Sequence, residues 1–363
     1  MTASTPAVVI AAGGTAGHVV PALAVADALS EIGARVSFVG TRDRAEASLV
    51  PERGYPIDFL DVRGLDRRNP LRASLAALKA VGAVGAASRV LVERGADAVM
   101  GGGGYVAGPV GVAAKRCGLP LVLTEADSHL GITNRLLARW ADRVCLGFPI
   151  AGREGDPYLV TGRPVPPSIG AADRDAARRR YGIEPDSPCL LLFGGSLGAL
   201  TINLAAAGAY GGAHADVDDR DYHVLHISGE RDYERIRELV GTPAAYTLMA
   251  YEPDLAAALA AADLVVARSG GSVFEIAAAG KPAILVPYPH ATAGHQHANA
   301  AWMVEAGAAR MIEDSELGSD RLRDEVEPLL ADADRLTEMA AASSRISRPD
   351  AAERIAAEIL STL

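Results

Sequence analysis

Short apolar runs alternate along the chain with longer stretches in which apolar residues recur at helical spacing. In the first half the runs are Ala7–Ala12, Arg35–Gly40, Ile57–Val62, Ala98–Met100, Leu121–Glu125 and Arg143–Phe148. Alanine-rich segments such as Val20–Ile32 and Pro109–Cys117 lie between them. Continuously apolar strands separated by helices predict a parallel sheet covered on both faces. Tyr158–Gly162 then leads into Arg163-Pro164-Val165-Pro166-Pro167. Its prolines fix φ and remove backbone donors, so a turn or linker is expected there. After a charged helix at about 171–181 the pattern restarts. Strands are expected at Cys189–Phe193, His223–Ser228, Tyr246–Ala250, Leu264–Ala267, Ala283–Pro287 and Ala309–Glu313, and the tail from about 329 to 363 reads as helix broken near Pro349.

The two halves begin alike. Ala7–Ala12 ends in Gly13-Gly14-Thr15-Ala16-Gly17-His18, and Cys189–Phe193 ends in Gly194-Gly195-Ser196-Leu197-Gly198-Ala199. Two similar strand–glycine–helix openings predict two doubly wound, Rossmann-like α/β domains facing across a cleft, with ligands at the carboxyl ends of the strands.

Composition narrows the function classes. The 363 residues are 49% hydrophobic and 22% charged, which suits globular domains and excludes a disordered scaffold. The net charge of −10 has the wrong sign for a general nucleic-acid binder and confines any contact with an anionic membrane to a local patch. Cys117, Cys145 and Cys189 are far apart in apolar surroundings and are expected to be buried thiols of a reducing compartment. The first residues carry no signal-peptide pattern. Lys79 and Arg89 interrupt Ala73–Val92, the stretch nearest to the roughly 20 apolar residues of a membrane span. A soluble, cytoplasmic chain is expected.

Several residues could carry chemistry. Each Gly-Gly-x-x-Gly turn puts backbone N–H groups at a helix N-terminus, a place that favours anions, although neither turn matches a Walker loop or a dinucleotide fingerprint. His18 opens a helix beside the first turn. It can pack locally or act as a general base, and the helix end should lower its pKa. Arg268-Ser269-Gly270-Gly271-Ser272 lets a ligand approach the backbone, and Glu275 lies one turn further on. That carboxylate suits the two hydroxyls of a ribose, or it complements the helix dipole. Gly101-Gly102-Gly103-Gly104-Tyr105 forms a third glycine turn, and Glu125 and Asp127 end the next strand, able to hold sugar hydroxyls or to form salt bridges. His290, His295 and His297 with Gln296 fit a loop of polar donors better than a metal site, because their spacing matches no zinc pattern. From Arg63 to Lys79 the balance turns basic, with Leu71, Leu75 and Leu78 at helical spacing. Both an ordinary amphipathic helix and a basic-rimmed membrane patch fit that stretch.

Taken in order, these motifs resemble the MurG family of UDP-N-acetylglucosamine transferases, glycosyltransferase family 28. The similarity lies in Gly13 to Ala24, Gly103-Gly104-Tyr105-Val106-Ala107-Gly108-Pro109, Gly131-Ile132-Thr133-Asn134, Gly194 to Ala199 with Asn203, Arg268-Ser269-Gly270 with Glu275 to Gly280, and His295-Gln296 with Asn299-Ala300. It spans about residues 8 to 313. The resemblance implies a GT-B fold, with residues 1–163 on the acceptor and membrane side, 164–346 binding the UDP-sugar, and a final helix at about 347–363 packing back on the first domain. It implies inverting transfer of N-acetylglucosamine from its UDP carrier to the 4-hydroxyl of the N-acetylmuramyl sugar of lipid I, making lipid II without metal or cofactor at the cytoplasmic face of the membrane. His18 is then the candidate base. Thr15, Ala16, Gly17, Asp127, Arg163, Ser196, Glu252 (through its backbone), Ser269, Gly270, Gly271, Ser272, Glu275 and Gln296 fall to the donor. Gly14, Gly104, Tyr105, Glu125, Asn134, Asn203 and Arg268 fall to the acceptor or cleft. The family need for a membrane-bound acceptor favours the basic stretch at Arg67–Lys79 as a docking patch. Two positions depart from the family pattern. Asp127 stands where an asparagine meets the donor sugar, and Pro166 where an arginine meets the nucleotide, which makes Arg163 the substitute. Another GT-B transferase, a UDP-N-acetylglucosamine 2-epimerase and a non-catalytic scaffold are the competing readings.

Overall fold

The computed structural model describes residues 5–62, 70–195, 198–212, 220–291 and 294–363, with the side chains of Ala16 and of residues 70–81 left aside. The chain divides into two compact units, Met1–Pro166 with Arg348–Leu363, and Pro167–Ser347.

The first unit holds strands β1 (Ala7–Ala11), β2 (Arg35–Gly40), β3 (Ile57–Phe59), β4 (Ala98–Gly101), β5 (Leu121–Glu125), β6 (Arg143–Leu146) and β7 (Tyr158–Val160). They form a wholly parallel sheet in the order β3-β2-β1-β4-β5-β6-β7. Its helices are α1 (Ala16–Glu31), α2 (Glu46–Glu52), α3 (Pro70–Glu93), α4 (Ala107–Arg116) and α5 (Ile132–Leu137). Alternate side chains of β1 leave opposite faces. Val8 and Ile10 pack with Val25 and Leu29 of α1, whereas Val9 and Ala11 pack with Leu91 of α3 and Val110 of α4. Burial on both faces is why β1 reads as an unbroken apolar run, and each fully buried Ile or Leu contributes roughly 1.5–3 kcal/mol.

The second unit repeats the plan. Strands β8 (Cys189–Phe193), β9 (His223–Ile227), β10 (Tyr246–Met249), β11 (Leu264–Ala267), β12 (Ala283–Leu285) and β13 (Ala309–Met311) pair in parallel in the order β10-β9-β8-β11-β12-β13. Helices α6 (Arg174–Tyr181), α7 (Leu200–Tyr210), α8 (Tyr233–Val240), α9 (Leu255–Ala261), α10 (Ser272–Ala278), α11 (His295–Glu305), α12 (Ser319–Leu330) and α13 (Ala333–Ile346) surround them. A final helix, α14 (Ala351–Ser361), lies in the first unit, where Ile355 and Ile359 join the core beside α1. In each sheet the connections change direction at one place, between β1 and β4 and between β8 and β11. The glycine turns follow the strands at those places.

Several details differ from the sequence reading. Helix α1 starts at Ala16, two residues ahead of His18, because His18 and Val19 both donate to the Thr15 carbonyl. Strand β7 was not expected; it is a three-residue edge strand with no fully buried face to mark it. The tail breaks at Asp332 as well as near Pro349, since the Asp332 carboxylate accepts from the Arg335 N–H and starts α13 afresh. Cys145 and Cys189 are buried, and burial pushes both thiols up to about 12. Cys117 is exposed, contrary to expectation, because it falls on the residue that ends α4. No helix among the described residues is long and apolar enough to cross a membrane. Of the basic stretch, Arg63, Arg67 and Arg68 lie outside the described residues, and Arg72 and Lys79 lie where only the backbone of α3 is described.

Candidate active site

In the first unit, the turns after β1 and β4 are fitted to each other. Gly104 has φ +80°, and a Cβ there would fall 2.1 Å from the Gly13 carbonyl oxygen. A Cβ on Gly103, at φ +97°, would fall 2.5 Å from Cδ2 of His18. The glycines thus let one turn close over the other and leave room for the imidazole. Beneath them sits Glu46, fully buried, which no motif singled out. Its carboxylate accepts from the Gly14 N–H at 2.9 Å, from the Thr41 N–H at 2.9 Å and from the Thr41 hydroxyl at 2.6 Å. Burial opposes its ionisation, but the bonds from Thr41 and Gly14 outweigh that and hold its pKa below the usual carboxylate value.

His18 lies in the first turn of α1, with Nδ1 3.3 Å from the Thr15 hydroxyl. Burial is the main cause that lowers its pKa, Asp127 raises it, Arg163 lowers it and Glu46 raises it. The net direction leaves the ring neutral at physiological pH, able to accept a proton. Arg163 is placed by a backbone accident. Pro21 lies inside α1 and has no N–H, so the Gly17 carbonyl lacks its helical donor. Arg163 Nη2 supplies one at 3.0 Å. Arg163 therefore ends up beside His18.

Glu125 and Asn134 are turned inward. Glu125 accepts from the Asp127 and Gly131 N–H groups and from the Asn134 amide, and that amide also donates to the Thr124 carbonyl. Burial pushes the Glu125 pKa up, and these bonds counter it in part. The pair shapes the loop that carries Asp127. Tyr105 is exposed.

In the second unit, Gly194, Gly195 and Gly198 follow β8. A Cβ on Gly194 would fall 2.2 Å from the Ala199 nitrogen, and one on Gly198 2.1 Å from the Ser228 carbonyl oxygen. Ser196 lies outside the described residues. Asn203 is fully buried below the turn and donates to the Ser228 carbonyl at 2.8 Å. After β11, Arg268 is buried, ion-pairs with Asp314 at 2.6 Å and donates to the Val286 and Pro287 carbonyls. The buried Ser269 hydroxyl donates to the Gln296 carbonyl at 2.7 Å. Gln296 Oε1 accepts from the Tyr288 N–H at 2.9 Å, and the Ser272 hydroxyl contacts the Arg268 carbonyl. The loop after β11 and the start of α11 are thereby one assembly, with Gly270 and Gly271 leading into α10 and Glu275 in its first turn. Glu252 is buried, its carboxylate held by Arg180 and Tyr181 and by the Asp254 N–H, so its backbone is what it can offer a ligand. His297 contacts Glu313 at 3.2 Å, and no three His, Cys, Asp or Glu side chains among the described residues gather as a metal site would require.

The helices that follow these turns share a property. Helices α1, α4, α7 and α10 carry no side-chain N-cap, as is also so of α2, α5, α8, α11, α12 and α14, whereas Asp173, Asp254 and Asp332 cap α6, α9 and α13. Uncapped N-termini at strand carboxyl ends suit a polyanionic ligand.

The glycosyltransferase family 28 N-terminal domain matches residues 8–146, and the C-terminal domain of that family matches residues 189–355. The chain belongs to glycosyltransferase family 28. Its relatives in that family include the UDP-N-acetylglucosamine–N-acetylmuramyl-(pentapeptide) pyrophosphoryl-undecaprenol N-acetylglucosamine transferases of Halorhodospira halophila and Moorella thermoacetica. The first is 42% identical over 97% of this chain and 97% of the relative, the second 40% identical over 98% and 99%. Among solved structures, MurG of Acinetobacter baumannii superposes with a TM-score of 0.79 at 30% identity, covering 98% of this chain and 99% of that one. Both units are therefore doubly wound α/β domains of a GT-B glycosyltransferase in the MurG group of family 28. Glu46 and the Arg163–Gly17 bond escaped the sequence reading. The signal for the second was present in Pro21, whose missing N–H requires some other donor for Gly17.

Proposed function

We propose that this chain transfers N-acetylglucosamine from UDP-N-acetylglucosamine to the 4-hydroxyl of the N-acetylmuramyl sugar of lipid I, giving lipid II with inversion at the sugar carbon. The observation that carries the mechanism is the placement of His18 at an uncapped helix N-terminus, kept neutral by burial and flanked by Asp127 and Arg163. His18 takes the proton of the acceptor hydroxyl as its oxygen attacks the sugar carbon, and the bond to the UDP oxygen breaks on the opposite side. The departing diphosphate gathers negative charge. Backbone N–H groups at the starts of α7 and α10 meet it without having to reorganise. Glu275 accepts from the ribose hydroxyls, and Gln296 faces the donor sugar. In this reading no metal ion takes part, because fixed helix ends do the neutralising. The first unit receives the acceptor and the second the donor. The chain works at the cytoplasmic face of the membrane, reaching it through the basic and apolar stretch at Arg67–Lys79.

The test is turnover of radiolabelled UDP-N-acetylglucosamine with a short-chain lipid I analogue in the presence of a chelator, beside a control lacking acceptor. Label entering the lipid only when acceptor is present supports the proposal. UDP release or epimerisation in the control, with no lipid product, overturns it. Loss of transfer on chelation overturns the metal-free step alone.

A further inference from the structure

A buried chain of polar groups runs beneath the turn assigned above to the donor diphosphate. The Tyr246 hydroxyl on β10 lies 2.7 Å from Nδ1 of His226 on β9, and Nε2 of His226 lies 3.0 Å from Oδ1 of Asn203 on α7. The Asn203 amide nitrogen donates to the Ser228 carbonyl at 2.8 Å and to Asp232 at 3.2 Å, and Asp232 is itself gripped by Arg231. His226, Asn203 and Ser228 have no exposed surface. The Ser228 carbonyl is the surface on which Gly198 rests, with no room for so much as a methyl group between them.

The polarity of this chain admits one arrangement. Asn203 must aim its NH2 at the Ser228 carbonyl and Asp232, both acceptors, so its oxygen faces His226. His226 must then carry its proton on Nε2, and Nδ1 must accept from Tyr246. Burial pulls the His226 pKa down to about 3, so the ring stays neutral through the physiological range. If the imidazole carried its proton on Nδ1, Asn203 would turn over and oppose its oxygen to the Ser228 carbonyl.

We infer that His226 and Tyr246 are positioning residues for the donor turn: they set the Asn203 amide that holds the Ser228 carbonyl under Gly198. The inference rests on the donor reading of this unit and deepens it. Neither side chain touches the nucleotide; each acts through Asn203, the Ser228 carbonyl and Gly198.

The experiment measures UDP affinity by calorimetry for wild type, Tyr246→Phe and His226→Gln, at a temperature where circular dichroism shows each folded. The ring nitrogens of His226 are followed by 15N NMR. Losing one directed hydrogen bond should weaken UDP about five- to tenfold in Tyr246→Phe. The same factor should appear in kcat/KM for the donor and be absent from KM for the acceptor. The NMR spectrum should show the Nε2–H tautomer in wild type. Wild-type UDP affinity in the folded Tyr246→Phe protein, or an Nδ1–H tautomer in wild type, overturns the inference alone. A wild-type protein that binds no UDP overturns the donor reading and this inference with it.

Discussion

Arg163 donates to the carbonyl oxygen of Gly17 at 3.0 Å, the one acceptor in the first turns of α1 that Pro21 deprives of its helical partner. A proline at the sixth position of a helix would ordinarily be a local defect. Here the vacated carbonyl anchors a guanidinium next to His18, and the positive charge helps keep that ring neutral. Asp127 pulls the other way. Removing either should therefore shift the pH dependence of turnover in opposite senses. With His18 as a base, activity rises as pH climbs through its pKa. Arg163→Ala raises that pKa, so the acid limb of kcat/KM moves to higher pH; Asp127→Asn lowers it, so the limb moves to lower pH. A pH–rate profile of the two variants checks this, and limbs moving together would separate His18 from the observed titration.

Glu46 should matter more than its place on a short helix suggests. Glu46→Gln keeps the shape but puts an NH2 where Thr41 or Gly14 also presents a donor. Leaving such a buried group unsatisfied costs about 1–3 kcal/mol. The sign with pH follows from its depressed pKa. The carboxylate contributes its full stabilisation above the ordinary value of 4.5 and loses it as pH falls through the lower folded value. Urea unfolding at pH 7 should show Glu46→Gln less stable than wild type, and the gap should narrow as the solution is acidified below 4.5.

What was legible in the sequence was whatever one element dictates by itself. Val8, Val9 and Ile10 are apolar in succession because β1 is covered on both faces, so parallel α/β pairing could be read directly. Gly13-Gly14 and Gly194-Gly195 marked where strands give way to helices. What could not be read depends on pairs distant in the chain. Glu46 meets Gly14 across 32 residues, and nothing near it distinguishes it from any glutamate that starts a helix. Glu125 and Asn134 look alike in sequence whether they face a sugar or each other; the structure places the Asn134 amide 2.9 Å from the Glu125 carboxylate. The resemblance places Arg268 with the acceptor or cleft residues, yet Asp314 pairs with it from beyond β13.

The glycines separate into two kinds, which substitution can distinguish. Gly14 and Gly195 have φ of +102° and +86° with nothing within 4 Å of a new Cβ. An alanine there carries the strain of a left-handed backbone, roughly 1–2 kcal/mol. Gly104 and Gly198 carry that strain and also drive a methyl group onto a backbone oxygen 2.1 Å away. Thermal unfolding should rank Gly104→Ala and Gly198→Ala clearly below Gly14→Ala and Gly195→Ala. Equal losses in all four would mean that the close approach of the turns is relieved by a backbone shift.

The proposed division of labour between the units predicts a split in kinetics. His18 serves the proton of the acceptor, a demand that exists only as the new bond forms. Glu275 serves the ribose, which is bound equally before and during reaction. His18→Ala should therefore lower kcat by about 10²–10⁴, the usual span for general base catalysis, with UDP affinity unchanged. Glu275→Ala should weaken UDP by about 1.5–3 kcal/mol, the range for hydrogen bonds to a charged group, and raise KM for the donor more than it lowers kcat. Calorimetry with UDP and steady-state turnover on the same preparations measure both. If His18→Ala turned over normally, another group would have to take the acceptor proton, and Asp127, the remaining carboxylate of that loop whose side chain is not tied into the Glu125–Asn134 pair, would be the next to replace.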